Sequence, residues 1–266
     1  LYKAISKALS LKNKCDLTEW KKKVATLKIK TPKVRIGIVG KYVSLRDSYI
    51  SLVEAIKHAG GANLTAVDLK WIDSETVTEA NVANKLKDVD GIIIPGGFGE
   101  RGVEGMIVAC KYARMHALPY LGICLGMQVT VIEYARDVLG FKDATSGEFA
   151  HTEHTIIDIM PDKKGKKIGG TMRLGSYPCA VKDGTKIKEA YGSNLIEERH
   201  RHRYEFNNEY REALENGGLV ISGTSPDGLI VETVEVKDHP FFVGVQFHPE
   251  FTSRPENANP IFAAFV

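Results

Sequence analysis

No window of this 266-residue sequence is long and apolar enough to read as a membrane span or a signal peptide. The most apolar run, Leu118 to Ile132, is interrupted by Pro119, Gly122, Gly126 and Gln128 and stops at Glu133. Charge of one sign is lacking too. A formal excess of +3 is too slight to argue for nucleic acid or a membrane as partner. Part of that excess is local, because Lys21, Lys22, Lys23, Lys28, Lys30 and Lys33 crowd the N-terminal part. Cysteine is scarce: Cys15, Cys110, Cys124 and Cys179 lie far apart with no C-x-x-C pair. That pattern fits reduced thiols in a cytoplasmic protein better than a disulfide framework. Internal repeats and low-complexity tracts are missing, and so is any ATP-binding motif. The chain begins at Leu1 rather than at a methionine, which raises the expectation of a fragment of something longer.

What is present is ordinary globular composition, 43% apolar and 26% charged. Residues 1–31 read as a helical, polar lead-in with Leu17, Trp20 and Val24 at helical spacing, and residues 32–266 as one domain. From Lys33 the pattern becomes strand, helix, strand, helix. Strands are expected near 34–40, 64–72, 90–95 and 120–123. Helices are expected over 48–59 (with Tyr49, Ile50, Val53 and Ile56 on one side), 102–116 and 124–139. Apolar strands alternating with helices imply an α/β fold, a mostly parallel sheet covered on both faces, with ligands beyond the strands' carboxyl ends. The later strands, 219–222, 229–236 and 242–247, are expected to flank the sheet in antiparallel fashion.

The strongest chemical signal is Gly122-Ile123-Cys124-Leu125-Gly126. A buried strand ends there, and a thiol stands at a sharp turn opening a helix, as in a nucleophile elbow. The helix dipole favours negative charge on the sulfur, and the Leu125 amide points toward a developing oxyanion. The alternative is a small buried hydrophobe, the reading given to Cys110 and Cys179. A thiolate attacking an amide also needs a proton shuttle. His248 and Glu250, in Gln246-Phe247-His248-Pro249-Glu250-Phe251, would face the same side of an extended backbone and could pair. The glycine-rich stretch Pro95 to Gly102 could be a plain turn, a phosphate cradle or half of an oxyanion hole; its place after a strand beside the elbow favours the last. The run Glu198 to Phe206 could be a solvated face, a weak metal site through His200 and His202, or the source of an arginine that clamps a carboxylate. His151 and His154 could suggest metal ligands, but no matching cysteine or carboxylate set accompanies them, and no metal is expected.

G-I-C-L-G-M-Q followed by F-H-P-E-F is the pattern of triad-type (class I) glutamine amidotransferases. With G-K-Y at Gly40, D-S-Y-I-S at Asp47, P-G-G-F-G-E-R-G and E-R-H-R-H-R-Y-E-F-N, the sequence from about Lys33 onward resembles the glutaminase domain of the CTP synthase family. The resemblance implies a flavodoxin-like three-layer α/β/α sandwich, with the lead-in as an interdomain linker. It implies a γ-glutamyl thioester on Cys124, His248 as acid and base, and Glu250 orienting it. Gly96, Gly97 and Leu125 would hold the oxyanion. Gly97, Leu125, Gln128, Glu148 and Arg203 would grip L-glutamine.

In the family, ammonia passes to an amidating domain in cis that converts UTP to CTP with ATP and Mg, GTP stimulates the glutaminase step, and the enzyme assembles as a homotetramer. That amidating domain is not in this sequence, and the stretch between Glu148 and Thr155 is shorter than the family pattern. A glutaminase serving another synthetase, or a free γ-glutamyl hydrolase, is the alternative. The E-R-H-R-H-R-Y-E-F-N stretch argues against it.

Overall fold

The computed structural model describes residues 2–12, 16–159 and 172–266. Two short helices open the chain, α1 (Tyr2–Ala8) and α2 (Thr18–Thr26), and neither buries a residue. Leu17 and Trp20, expected to mark an apolar stripe, stand exposed. Cys15 lies outside the described residues.

From β1 (Lys33–Gly40) the alternation runs through α3 (Ile50–Ala62), β2 (Ala66–Asp73), α4 (Val82–Leu86), β3 (Gly91–Ile94), α5 (Val103–Met115), β4 (Tyr120–Ile123) and α6 (Leu125–Asp137). The predicted strands and helices are all here, with ends shifted by a few residues. One helix face differs from expectation. In α3 the core takes Leu52, Ala55, Ile56 and Ala59, while Ile50 points to solvent.

The second half is richer in strands than its sequence pattern suggests. It contains β5 (Thr145–Ser146), β6 (Thr155–Ile159), β7 (Arg173–Val181), α7 (Lys186–Tyr191), β8 (Leu195–His202), β9 (Tyr204–Phe206), α8 (Arg211–Asn216), β10 (Leu219–Thr224), β11 (Val231–Val236), β12 (Phe242–Val245) and α9 (Pro260–Phe265). Among the described residues the main sheet runs β2-β1-β3-β4-β12-β11-β10-β7-β8, and β5, β6 and β9 form a small second sheet. The pairings from β2 to β12 are parallel and those from β12 to β8 antiparallel, so the sheet is mixed. The expected antiparallel flank is therefore corrected at one strand. β12 pairs parallel with β4, Val245 opposite Ile123, and so lies in the middle of the sheet.

Side-chain alternation makes the layers. In β3, Ile92 and Ile94 enter the core beneath α5 and α6, whereas Ile93 enters the core beneath α3 and α9. Tyr120 and Leu121 of β4 divide in the same way. Burying side chains of this size contributes roughly 1.5–3 kcal/mol each. The charged run from Glu198 to Arg203 is mostly β8, where residues alternate between exposed and buried. Glu198, His200 and His202 face inward; Glu197, Arg199 and Arg201 face outward. Charge hid a period-two strand that hydrophobicity would have revealed.

Helix α6 presses onto β3 with no room to spare, since a Cβ at Gly126 would lie 2.1 Å from the Ile94 carbonyl oxygen. Glycine to alanine inside a helix normally stabilises by about 1 kcal/mol. Gly126→Ala should do the reverse and lower stability by about 1–3 kcal/mol through overpacking. Urea unfolding of the two chains checks the sign, and a gain in stability would mean that α6 can move away from β3.

Candidate active site

Strand β4 runs directly into α6, and the residue at the join is Cys124, with φ +52° and ψ −99°. Such a backbone costs a non-glycine residue on the order of 1–3 kcal/mol and persists only where the surroundings impose it. They do so here. The Cys124 N–H donates to the Val245 carbonyl at 2.7 Å, and its carbonyl accepts from the Gln128 N–H at 3.2 Å. The sulfur therefore stands at the carboxyl end of the parallel strands, over the first turn of a buried helix. Leu125 opens that helix, where the first N–H groups have no intrahelical acceptor.

The segment after the neighbouring strand β3 lies against it. A Cβ at Gly96 would meet the His248 ring at 2.9 Å and the Cys124 Cβ at 3.6 Å, so only glycine lets the loop come this close. Lys41 fixes the loop from below, its ammonium donating to the carbonyls of Phe98 (3.1 Å) and Gly99 (2.5 Å). Burial lowers the Lys41 pKa to about 8, with the Glu148 charge opposing and Arg101 adding to the fall. From above, the Gly99 N–H donates to Glu148 Oε1 at 2.8 Å. Lys41 was not among the residues singled out from sequence; its place in G-K-Y at the end of β1 was the available signal.

His248 follows β12, its N–H donating to the Arg199 carbonyl of β8 at 2.8 Å. The pairing with Glu250 exists, Nδ1 to Oε1 at 2.8 Å, but not for the expected reason. The backbone is not extended there. Pro249–Phe251 forms a 3-10 turn, and that turn brings residues 248 and 250 together while stacking Phe251 on the imidazole. Burial pulls the His248 pKa down, but the nearby Cys124 sulfur and the hydrogen bonds to Cys124 and Glu250 outweigh it and raise the value to about 10. At neutral pH His248 is thus a cation between sulfur and carboxylate.

Around these groups are two hollows that share Gly97, Phe98 and Cys124. The larger, about 350 Å³, reaches past Gly96, His248 and Glu250 to Tyr42, Ser48 and Ser51. The smaller is lined by Gln128, Glu148, His202, Arg203 and Tyr204. The structure therefore gathers the residues expected to act on glutamine: Cys124, His248, Glu250, Gly96, Gly97, Gln128, Glu148 and Arg203, with Leu125 beside Gly97. An anion and a cation, Glu148 and Arg203, face one small cleft, and the Arg203 Nε is buried without a partner.

Behind the cleft is a layer that sequence reasoning missed. His202 Nδ1 lies 3.0 Å from the Tyr204 carbonyl, and His202 Nε2 lies 3.0 Å from His200 Nδ1. His200 Nε2 faces Glu232 at 3.4 Å, and Glu232 accepts from Arg173 at 2.5 Å. Burial, reinforced by Arg173, drives the pKa of His202 down to about 3; burial, His202 and Arg173 drive that of His200 to about 2. The two rings face each other through His200 Nδ1 and His202 Nε2, the nitrogens a metal shared between them would need. Of the other pair, His154 sits with Asp143 and Glu153, its Nδ1 2.6 Å from Asp143; His151 is not in that group.

Comparison with known proteins places this geometry. Residues 44–266 match the family model for glutamine amidotransferase class-I. CTP synthases of Listeria innocua and Bacillus subtilis are each 55% identical to the chain over 253 residues, 94% of its length. The chain spans about half the length of these curated relatives, 48% and 47%. Among solved structures, the glutaminase domain of Trypanosoma brucei CTPS with bound acivicin superposes with a TM-score of 0.83 at 40% identity, covering 87% of this chain and 92% of that one.

The buried histidines make a prediction whose sign follows from linkage. His202 has a folded pKa of about 3 against an ordinary 6.5, so below 6.5 only the unfolded chain takes the proton and stability falls with pH. At about pH 5 that penalty amounts to roughly 2 kcal/mol. His202→Gln removes it, so the variant should be destabilised by about 2 kcal/mol less at about pH 5 than at about pH 7.5. Urea unfolding at the two pH values measures this, and an equal effect at both would mean that His202 accepts a proton in the fold.

Proposed function

The chain belongs to the class-I glutamine amidotransferases, as a glutaminase domain of the CTP synthase type, and from that premise we propose that it hydrolyses L-glutamine through Cys124, His248 and Glu250. The observation that carries this reading is the meeting of a thiol on a strained elbow with a buried, protonated imidazole held by a carboxylate at 2.8 Å. That combination is a nucleophile with its acid already charged.

In this reading the Cys124 sulfur attacks the side-chain amide carbon, forming a C–S bond and an oxyanion. The amides of Gly97 and Leu125, with the Gly96–Gly97 segment turned toward the sulfur, stabilise that oxyanion. His248 gives its proton to the departing nitrogen, the C–N bond breaks, and ammonia leaves a γ-glutamyl thioester. Water then attacks the thioester while His248 takes a proton from it, and the C–S bond breaks to release glutamate. Glu250 orients the ring and stabilises its cationic form.

Glutamine carries both charges of an amino acid, and the small cleft offers a partner for each. Arg203, its Nε buried and free, suits the α-carboxylate; Glu148 suits the α-ammonium, with Gln128 beside them. Residues 1–31 act as the linker and 32–266 as the glutaminase domain. The ammonia passes to a synthetase domain of the same polypeptide, where ATP with Mg activates UTP for conversion to CTP. GTP stimulates the hydrolytic step, and the whole enzyme works as a cytoplasmic homotetramer.

Incubation with acivicin, followed by intact-mass spectrometry, should give one adduct on Cys124. It should be absent in Cys124→Ala and strongly slowed in His248→Ala at neutral pH. Arg203→Ala should raise KM for glutamine by about tenfold to a hundredfold, as expected when a hydrogen-bonded charge pair is lost, with a smaller change in kcat. An adduct found neither on this chain nor on the chain joined to its synthetase domain would overturn the reading.

A further inference from the structure

Gln246 is fully buried in the middle of the domain, two residues before His248, and no step above uses it. Its backbone N–H donates to the Glu232 carbonyl of β11 at 2.8 Å, which fixes where its side chain starts. Its Nε2 points at the Cys124 sulfur, 3.5 Å away, and its Oε1 lies 3.3 Å from Gln128 Nε2.

The orientation of both carboxamides follows from one backbone group. Gln128 Nε2 lies 3.0 Å from the Tyr204 carbonyl, which can only accept. The nitrogen of Gln128 must therefore face that way, and its second hydrogen is left for Gln246 Oε1. Gln246 then has only its NH₂ to turn toward the sulfur. Flipping Gln246 would set nitrogen against nitrogen at Gln128 and oxygen against sulfur at Cys124, losing both contacts. The polarity of a main-chain carbonyl is transmitted through two amides to the nucleophile.

We propose that Gln246 is a further catalytic residue of this site: it donates a hydrogen bond to the Cys124 sulfur that favours the thiolate and holds it in place, while fixing the Gln128 carboxamide beside the cleft. This rests on Cys124 being the nucleophile, as in the function proposed above. A donor to an anion stabilises it more than it stabilises a neutral thiol. Gln246 thus complements His248, which faces the sulfur from the side of Gly96. Loss of such a bond disfavours the charged sulfur by about tenfold to a hundredfold. Part of that is returned because a less stabilised thiolate is a better nucleophile, leaving a net slowing of about threefold to tenfold.

The experiment is alkylation of the whole chain by iodoacetamide at neutral pH, with the labelled cysteine identified by peptide mapping. Cys110 and Cys179 are buried, with thiol pKa values raised by burial, so their labelling reports unfolding in the same tube. Gln246→Met keeps the length of the side chain and removes both hydrogen bonds. Its Cys124 should alkylate about threefold to tenfold more slowly, with Cys110 and Cys179 still protected. Equal alkylation rates in the folded variant and the unaltered chain would overturn the proposal.

If Gln246→Met exposes Cys110 or Cys179, Gln246→Glu decides, since it preserves shape and the acceptor for Gln128 but loses the amide donor. At about pH 8 it should show at least the same slowing, and an unchanged rate would overturn the proposal. Glutamine hydrolysis separates the two readings. An unaltered chain that does not hydrolyse glutamine, even with its synthetase domain, but whose Cys124 depends on Gln246 would sink the amidohydrolase function alone. Hydrolysis that continues at full rate in Gln246→Met would sink this role alone.

Discussion

The site depends on one backbone constraint, the left-handed φ forced on Cys124 where β4 becomes α6. A side chain at that corner has nowhere to go but out over the carboxyl end of the sheet, and the flanking contacts prevent relaxation. Gly126 lets α6 approach the Ile94 carbonyl, and Val245 holds the Cys124 amide from the next strand. Because β3 and β12 flank β4 as parallel neighbours, the loops that follow them emerge at the same end as the sulfur. Gly96 and Gly97 arrive from one side, Gln246 and His248 from the other. Strand order alone thus gathers an oxyanion loop, a nucleophile and a base that are more than a hundred residues apart at their extremes.

The second requirement is to hold charge in a buried place. A cationic imidazole is stable there because sulfur and Glu250 flank it, and desolvation alone would have removed its proton. The same physics acts in reverse on β8. His200 and His202 have no carboxylate close enough to outweigh burial and the Arg173 charge, and both are held neutral. These histidines, two on β8 and one after β12, therefore take opposite protonation states, and only the one flanked by Cys124 and Glu250 can serve as an acid.

Much of this was legible in the sequence, and the reasons are local. Cys124 announced itself through glycines on both sides and an apolar run before it, features that strand, turn and helix each require. His248 and Glu250 were legible as a pair although the geometry was inferred wrongly. The spacing of two suits an extended chain, but Pro249 starts a tight turn that satisfies the same contact. The strand β8 was illegible because its buried residues are Glu198, His200 and His202, polar side chains, two of which rest on partners far away in the chain, Glu198 on Asn259 and His200 on Glu232. Gln246 and Lys41 escaped for a related reason. A glutamine inside an apolar strand and a lysine at a strand end carry no periodic signal, and their roles appear only when β12 and β1 are set beside the elbow.

The buried polar layer also fixes a proton that no single residue would reveal. The Tyr204 carbonyl can only accept, so His202 must present Nδ1–H to it, and its Nε2 is left as an acceptor. His200 must then donate from Nδ1, which leaves the lone pair of its Nε2 facing Glu232 Oε2 at 3.4 Å. Neither atom has a hydrogen-bond partner among the described residues, and a proton between them would relieve the repulsion of two facing acceptors. Glu232 is the group able to carry it, since burial pushes its pKa up to about 7 even with Arg173 bound to its other oxygen. A proton there would leave both histidines neutral, while the Tyr204 carbonyl, which can only accept, keeps Gln128 turned toward Gln246 whatever the state of Glu232.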